Sequence, residues 1–246
     1  MITLESCPNC GSVSITKFNR DGNFPWVLHE IMPGVKLKAR IITRYAVCLS
    51  CNLIFQNPRM SDKDIFAFYN KGFYRQSLNL KEDDYDAFDY LRAQNNARIA
   101  SVQCGEISSH LDVGCGKGYF LDAVGAQLKV AVEPDLAYIR IKSAKVYPQL
   151  DKVPSSFKFD LVSAIHVLEH DPHPLNYLKK MTGFLKKDGY LMVEVPTWKS
   201  EGDKLSLQHL FHFEPDVLRL MCMQAGLEVI HTEFTSHLVL ICKPVN

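Results

Sequence analysis

No run of apolar residues in this 246-residue chain is long enough to span a bilayer. Its opening, Met1 to Cys7, carries neither the basic stretch nor the apolar stretch of a secretory signal. Net charge is nearly absent: 28 Lys and Arg stand against 27 Asp and Glu, leaving +1. Such a chain lacks the global basic field that nucleic-acid and acidic-membrane binders usually carry. Internal repeats and low-complexity tracts are missing too. These absences lead us to expect a cytoplasmic protein with no membrane span; they argue against a nucleic-acid partner and leave the oligomeric state open. What is present, 47% hydrophobic and 22% charged residues, is enough to build a packed core and argues against disorder.

The eight cysteines are unevenly spread. Cys7 and Cys10 form one Cys-x-x-Cys pair, and Cys48 and Cys51 form another. In a reducing compartment two such knuckles read as four thiolate ligands for a tetrahedral zinc, not as disulfides. Free structural thiols are the bland alternative. A redox pair fits less well, because no thioredoxin-type unit surrounds either knuckle. Between the knuckles, residues 35 to 47 begin with alternating apolar and basic residues, as a half-exposed strand would. Lys36, Lys38 and Arg40 then share one face, which we read as solvated. Cys104, Cys115, Cys222 and Cys242 are expected to be ordinary buried residues.

The expected organisation has three parts: a zinc-binding module over residues 1–60, a helical connector over 61–107 and an α/β domain over 108–246. Ser61-Asp62-Lys63-Asp64 has the form of a capping box and predicts a helix start. Residues 81–100 also show near-helical apolar spacing. From residue 108 strands and helices alternate. Strands are expected at Leu111–Val113, Lys129–Val132, Lys145–Tyr147, Phe159–Ile165, Tyr190–Val195, Leu227–Phe234 and His237–Lys243. Helices are expected at Tyr119–Gln127, Ile139–Ala144, 174–187 and from Pro215. This pattern implies a mostly parallel sheet covered by helices on both faces. The last two strands are joined only by Thr235-Ser236, so they form a hairpin and one runs antiparallel.

The sharpest local signal is Leu111-Asp112-Val113-Gly114-Cys115-Gly116-Lys117-Gly118-Tyr119. A strand runs into glycines that permit a tight turn and close ligand approach, and then into a helix N-terminus. Glu133, followed by Pro134, sits at the end of the next strand, where an acid can hold ribose hydroxyls. This is a nucleoside-binding arrangement. A dinucleotide fingerprint would need glycine where Tyr119 stands, so a nicotinamide-dependent oxidoreductase or epimerase fits less well.

The Asp-x-Gly-x-Gly-x-Gly pattern resembles motif I of the class I S-adenosylmethionine-dependent methyltransferases. The likeness continues through Phe159-Asp160-Leu161-Val162, Glu169-His170, Leu185-Lys186-Lys187-Asp188-Gly189 and Ala225-Gly226-Leu227. It implies a Rossmann-like methyltransferase sheet and S-adenosylmethionine as cofactor. Asp112 would face the methionine ammonium. Gly114, Cys115, Gly116 and Gly118 would pass the ribose and methionine, and Glu133 would take the ribose hydroxyls. Asp151 is the nearest match to the residue that meets adenine. The cysteine knuckles, Asn57-Pro58-Arg59 and the following tyrosines resemble a narrower group, the zinc-ribbon methyltransferases of nucleotide-linked sugars and cell-surface glycans, sugar C-methyltransferases included. That likeness implies methyl transfer to a small-molecule substrate, a sugar or glycan precursor, and suggests active-site roles for Tyr69 and Tyr74. The narrower group carries an acid-His pair where this chain has Gln208-His209. Removing a proton from the acceptor suits histidine, so His209 is the first expected base, with His212 and His166 next. The main alternative is an RNA- or protein-directed methyltransferase that uses the ribbon for recognition.

Overall fold

The computed structural model describes residues 1–22, 41–70, 82–197, 209–235 and 237–245. Among the described residues, eleven strands form two sheets: β1 (Ile15–Gly22), β2 (Ile41–Cys48), β3 (Ile54–Gln56), β4 (Ser109–Val113), β5 (Leu128–Val132), β6 (Lys145–Tyr147), β7 (Phe159–Ile165), β8 (Leu185–Val195), β9 (Phe211–His212), β10 (Leu227–Phe234) and β11 (Leu238–Pro244). The larger sheet has the order β10-β11-β8-β7-β4-β5-β6. Its strands from β8 to β6 run parallel, whereas β11 is antiparallel to both neighbours. This is the expected parallel sheet with a C-terminal antiparallel hairpin. Strand order reverses between β4 and β7, and ligands of open α/β sheets bind at such a switch point.

The α-helices among the described residues are α1 (Asp62–Asn70), α2 (Glu82–Cys104), α3 (Tyr119–Val124), α4 (Pro174–Thr182) and α5 (Pro215–Gln224). Side chains alternate between the faces of each strand. Leu161, Met192, Val239 and Ile241 therefore pack under Ala93, Ile99, Ala100 and Cys104 of α2 and Phe120 of α3. Leu111, Val162, Leu191 and Val193 face the other way, toward Leu178 and Met181 of α4 and Val217, Leu218 and Met221 of α5. At the predicted capping box, the Ser61 hydroxyl donates to Asp64 Oδ2 at 2.6 Å and accepts from the Asp64 N–H at 3.3 Å.

Some predicted elements need correction. Residues 139–144 are not helical; the helical turn there is a 3-10 segment at Leu136–Tyr138. Apolar spacing suggested a helix, but Ile139 is already extended and Ile141 packs over Gly118. The helix after residue 119 stops at Val124, because Gly125 takes a left-handed conformation. The helix from 174 stops at Thr182, and strand β8 starts early, at Leu185. Lys36, Lys38, Arg40, Tyr74 and Gln208 lie outside the described residues.

The smaller sheet has the order β1-β2-β3-β9, with every pairing antiparallel. Its last strand comes from residues 211–212, more than 150 residues beyond β3. Ala46, Phe55 and Phe211 of this sheet, with Leu53 just before β3, join Leu210 and Phe213 in the main core. Asn57 ties the chain start down, accepting from the Leu4 N–H at 2.9 Å and donating to the Leu4 carbonyl at 2.8 Å.

Candidate active site

The turn after β4 needs its glycines. Gly114 and Gly118 have φ of +71° and +89°, a region that L side chains rarely enter. A Cβ on Gly114 would lie 2.5 Å from Val167, and one on Gly118 would lie 2.4 Å from Ile141. Glu133 organises the turn from the end of β5: its carboxylate accepts the Gly116 and Asp135 backbone N–H groups, both at 3.0 Å. Two carboxylate oxygens offer about four acceptor positions, so Glu133 can still take ribose hydroxyls. Asp112, Gly114, Cys115 and Gly116 line one cleft with Asn96 of α2, Tyr138 and Ile165. Pro134 follows Glu133 in the chain and is half-buried. Asp151 is exposed, and its carboxylate meets Lys180 Nζ at 2.9 Å; the structure does not bring it into this cleft.

Asp112 is buried and belongs to a polar chain that the sequence does not announce. The Ser163 hydroxyl donates to Asp112 Oδ1 at 2.6 Å, and His110 Nε2 lies 2.7 Å from the same hydroxyl. Burial, reinforced by the charge of Glu133 and opposed by Ser163, pushes the Asp112 carboxyl up to about 7. Burial pulls the His110 imidazole down to about 3. A carboxyl held this way gains by meeting a cation.

Beyond β7 and β8 lies a connected group of acids and imidazoles. His166 has φ of +55°, a conformation uncommon outside glycine. Its Nδ1 lies 3.1 Å from Glu169 and its Nε2 3.2 Å from Glu194. Burial would depress its pKa, but the two carboxylates outweigh that and raise it to about 9. Glu194 Oε1 also meets His237 Nδ1 at 3.3 Å, and Asn96 donates its amide to Glu194 Oε2. Glu169 is fully buried; against that burial, His170, His166 and His209 bring it down to about 2. The His170 ring lies 4.8 Å from the His209 ring and 5.4 Å from the Tyr69 ring. His212, fully buried on β9, packs edge-on against Tyr45 at 5.3 Å.

The structure thus gathers His209, His166 and Tyr69 around Glu169 and His170, with the His212 ring 6.4 Å from that of His209. Sequence reasoning missed Glu194, His237, Asn96 and Ser163. A buried acid in the apolar stretch Leu191-Met192-Val193-Glu194-Val195 was the one available signal, since buried charge needs a partner.

The four paired cysteines also converge. Their sulfurs all lie within 4.8 Å of one another, with Cys7–Cys51 at 3.6 Å and Cys10–Cys48 at 3.5 Å. Zinc bonded to four sulfurs at ~2.3 Å sets them roughly 3.8 Å apart, so this donor set fits the metal in kind and spacing. Each knuckle closes on a left-handed residue just after its second cysteine, Gly11 with φ of +73° and Asn52 with φ of +59°. The other four cysteines are buried.

A family model described as a methyltransferase domain matches residues 75–232. The tRNA U34 carboxymethyltransferase of Cronobacter sakazakii is 35% identical over 109 residues, covering 38% of this chain and 33% of that protein. The Trichlorobacter lovleyi enzyme of the same name is 33% identical over 109 residues, with the same coverage, 38% and 33%. The chain therefore spans about a third of the length of these curated relatives. Among solved structures, the Burkholderia thailandensis 1,6-didemethyltoxoflavin-N1-methyltransferase, bound to S-adenosylhomocysteine, superposes with a TM-score of 0.61 at 17% identity, over 80% of this chain and 98% of that one. Magnesium protoporphyrin IX methyltransferase from Synechocystis PCC 6803, also bound to S-adenosylhomocysteine, gives 0.53 at 14% identity, over 72% and 96%. With the glycine turn, the strand order and a family match over most of its length, the chain belongs to the methyltransferase-domain family, on the class I Rossmann-like fold of S-adenosylmethionine-dependent enzymes.

Proposed function

We propose that this protein transfers the methyl group of S-adenosylmethionine to a small acceptor, a nucleotide-linked sugar or glycan precursor. The observation that carries this reading is the placement of the Glu169–His170–His209 group beyond the same strand ends that hold the glycine turn. S-adenosylmethionine, when bound, supplies a methyl group already activated on a sulfonium. The chain's own residues must then hold the cofactor, orient the acceptor and remove a proton. Asp112 meets the ammonium, and Glu133 meets the ribose. Gly114, Cys115, Gly116, Gly118 and Pro134 shape the passage, and Asp151 remains the candidate toward adenine only if its contact with Lys180 opens.

His209 is the base in this reading. Glu169 supplies the negative charge that steadies a proton on the imidazole group, and His170 and Tyr69 set the ring's surroundings. His166 is less suited, because carboxylates occupy both of its ring nitrogens. His212 is fully buried, its ring 6.4 Å from that of His209, and Tyr74 is the remaining candidate along the connector. Zinc on Cys7, Cys10, Cys48 and Cys51 holds the N-terminal unit together, residues 61–107 connect it, and residues 108–246 carry the chemistry.

A second reading takes RNA as the acceptor. It is favoured by the tRNA U34 carboxymethyltransferases among the relatives and opposed by the net charge of +1. The test is a methyl-transfer screen with nucleotide-sugars in one arm and bulk tRNA in the other. Labelled methyl in the sugar arm that falls by roughly 10²–10⁴-fold in His209→Ala supports the proposal. Incorporation confined to tRNA overturns it in favour of the second reading.

A further inference from the structure

Glu194, His166 and His237 meet more closely than a search for a general base requires. Glu194 Oε1 lies 3.2 Å from His166 Nε2 and 3.3 Å from His237 Nδ1. The rings of the two histidines are 4.3 Å apart and perpendicular. Three ligands about 2.0–2.1 Å from a tetrahedral cation stand roughly 3.3 Å from one another. We propose that Glu194, His166 and His237 bind a divalent cation of the zinc, cobalt or manganese class at the acceptor end of the cleft.

Two further observations support this geometry. First, the atoms not facing the centre are already fixed. Asn96 donates its amide to Glu194 Oε2, which leaves Oε1 turned to the histidines. Glu169 lies 3.1 Å from His166 Nδ1, the nitrogen that does not meet Glu194. A carboxylate behind a histidine ligand and a donor behind a carboxylate ligand are the usual outer supports of a metal site; they set tautomer and orientation. Second, the set is closed on one side only. The Glu194 side chain is 0% exposed, whereas His166 and His237 are 19% and 17% exposed. Three protein ligands with an open side are the pattern of catalytic sites, in which water or substrate takes the free position.

The three residues come from distant parts of the chain: the turn after β7, the end of β8 and the start of β11. The antiparallel register pairs Glu194 with Val239, so His237, two residues earlier and on the same face of β11, reaches Glu194 diagonally across the two strands. The His166 N–H donates to the Glu194 carbonyl at 2.9 Å and holds the first two together. A cation here would hold an oxygen of the acceptor and make its proton easier to remove. That role rests on the proposed methyl-transfer reading, whereas the binding site itself does not.

Binding can be measured without a substrate. The purified full-length protein, with its cysteine metal retained, is titrated with Co²⁺ and read by absorption and equilibrium dialysis. The expected result is one additional Co²⁺ per chain with a nitrogen-and-oxygen spectrum free of thiolate charge transfer. His237→Ala should abolish this binding, and Asn96→Ala should weaken it by about 10–100-fold. His231→Ala, which removes an imidazole paired with Glu233 on β10 at 3.1 Å, should leave it unchanged. Far-ultraviolet circular dichroism and the melting temperature report folding in every variant. Co²⁺ that binds only with thiolate charge transfer, or equally well to folded His237→Ala, would overturn the proposal and leave Glu194 held by contacts with the two imidazoles alone. Co²⁺ binding without S-adenosylhomocysteine binding would instead sink the methyl-transfer reading and spare the site.

Discussion

Gln56 donates its side-chain amide to the backbone carbonyl of His209 at 3.0 Å, and its backbone N–H to the Leu210 carbonyl at 2.9 Å. Gln56 is 1% exposed. The N-terminal sheet therefore reaches the proposed base directly, through one buried residue at the end of β3. Gln56→Leu should lower kcat while leaving S-adenosylhomocysteine affinity unchanged, because the cofactor cleft lies on other strands. Losing such a buried bond costs roughly 1–3 kcal/mol locally. An equal loss of cofactor affinity would show general unfolding instead.

The same connection shapes the metal prediction. Structural zinc contributes on the order of 10 kcal/mol to a small module. Cys48→Ser should lose the zinc, unfold the N-terminal unit and release β9 from β3, so methyl transfer falls while the larger sheet still binds S-adenosylhomocysteine. Elemental analysis of reduced protein, paired with calorimetry, checks this. Full zinc occupancy in the variant would contradict it.

How much of this was legible in the sequence depended on the range of the interactions. The glycine turn could be read because Gly114 and Gly118 answer local backbone demands, and Glu133 lies one strand further on. The cysteine pairs were legible for the same reason: each knuckle is a short local turn. The pairing of β9 with β3 was not, since a two-residue strand has no period to detect. Glu194 and His237 meet only because β11 folds back along β8, and nothing near either residue reports that. Asp151 was picked by proximity along the chain, while the fold turns its carboxylate toward Lys180.

Asp112 predicts a pH dependence. Its pKa in the folded chain is raised to about 7 by burial, above the ordinary carboxylate value. The stability it contributes is thus fully present below that ordinary value and is lost as pH rises through about 7. Binding of a cationic ammonium needs the carboxylate, so S-adenosylhomocysteine affinity should rise with pH across the same window. In Asp112→Asn the affinity should be weak and flat. A parent protein with flat affinity would show that Asp112 is already ionised.

Gly118 tests the turn. Alanine there must accept φ of +89° and a contact of 2.4 Å with Ile141. Positive φ alone costs a residue with a Cβ about 1–2 kcal/mol. Gly118→Ala should lower the melting temperature and weaken S-adenosylhomocysteine binding together. Gly105→Ala, also at positive φ but with nothing within 4 Å of its Cβ, should affect stability alone. Matching effects of the two on binding would remove the turn from the cofactor site.

Calorimetric titration with S-adenosylhomocysteine and NAD, on the parent protein and on Glu133→Ala, tests the central claim most directly. The account predicts one S-adenosylhomocysteine per chain, no NAD binding, and a loss of roughly 1–3 kcal/mol in the variant as ribose hydroxyls and the Gly116 N–H lose their acceptor. Tight NAD binding without S-adenosylhomocysteine binding, or a Glu133→Ala variant that binds as the parent does, would contradict it.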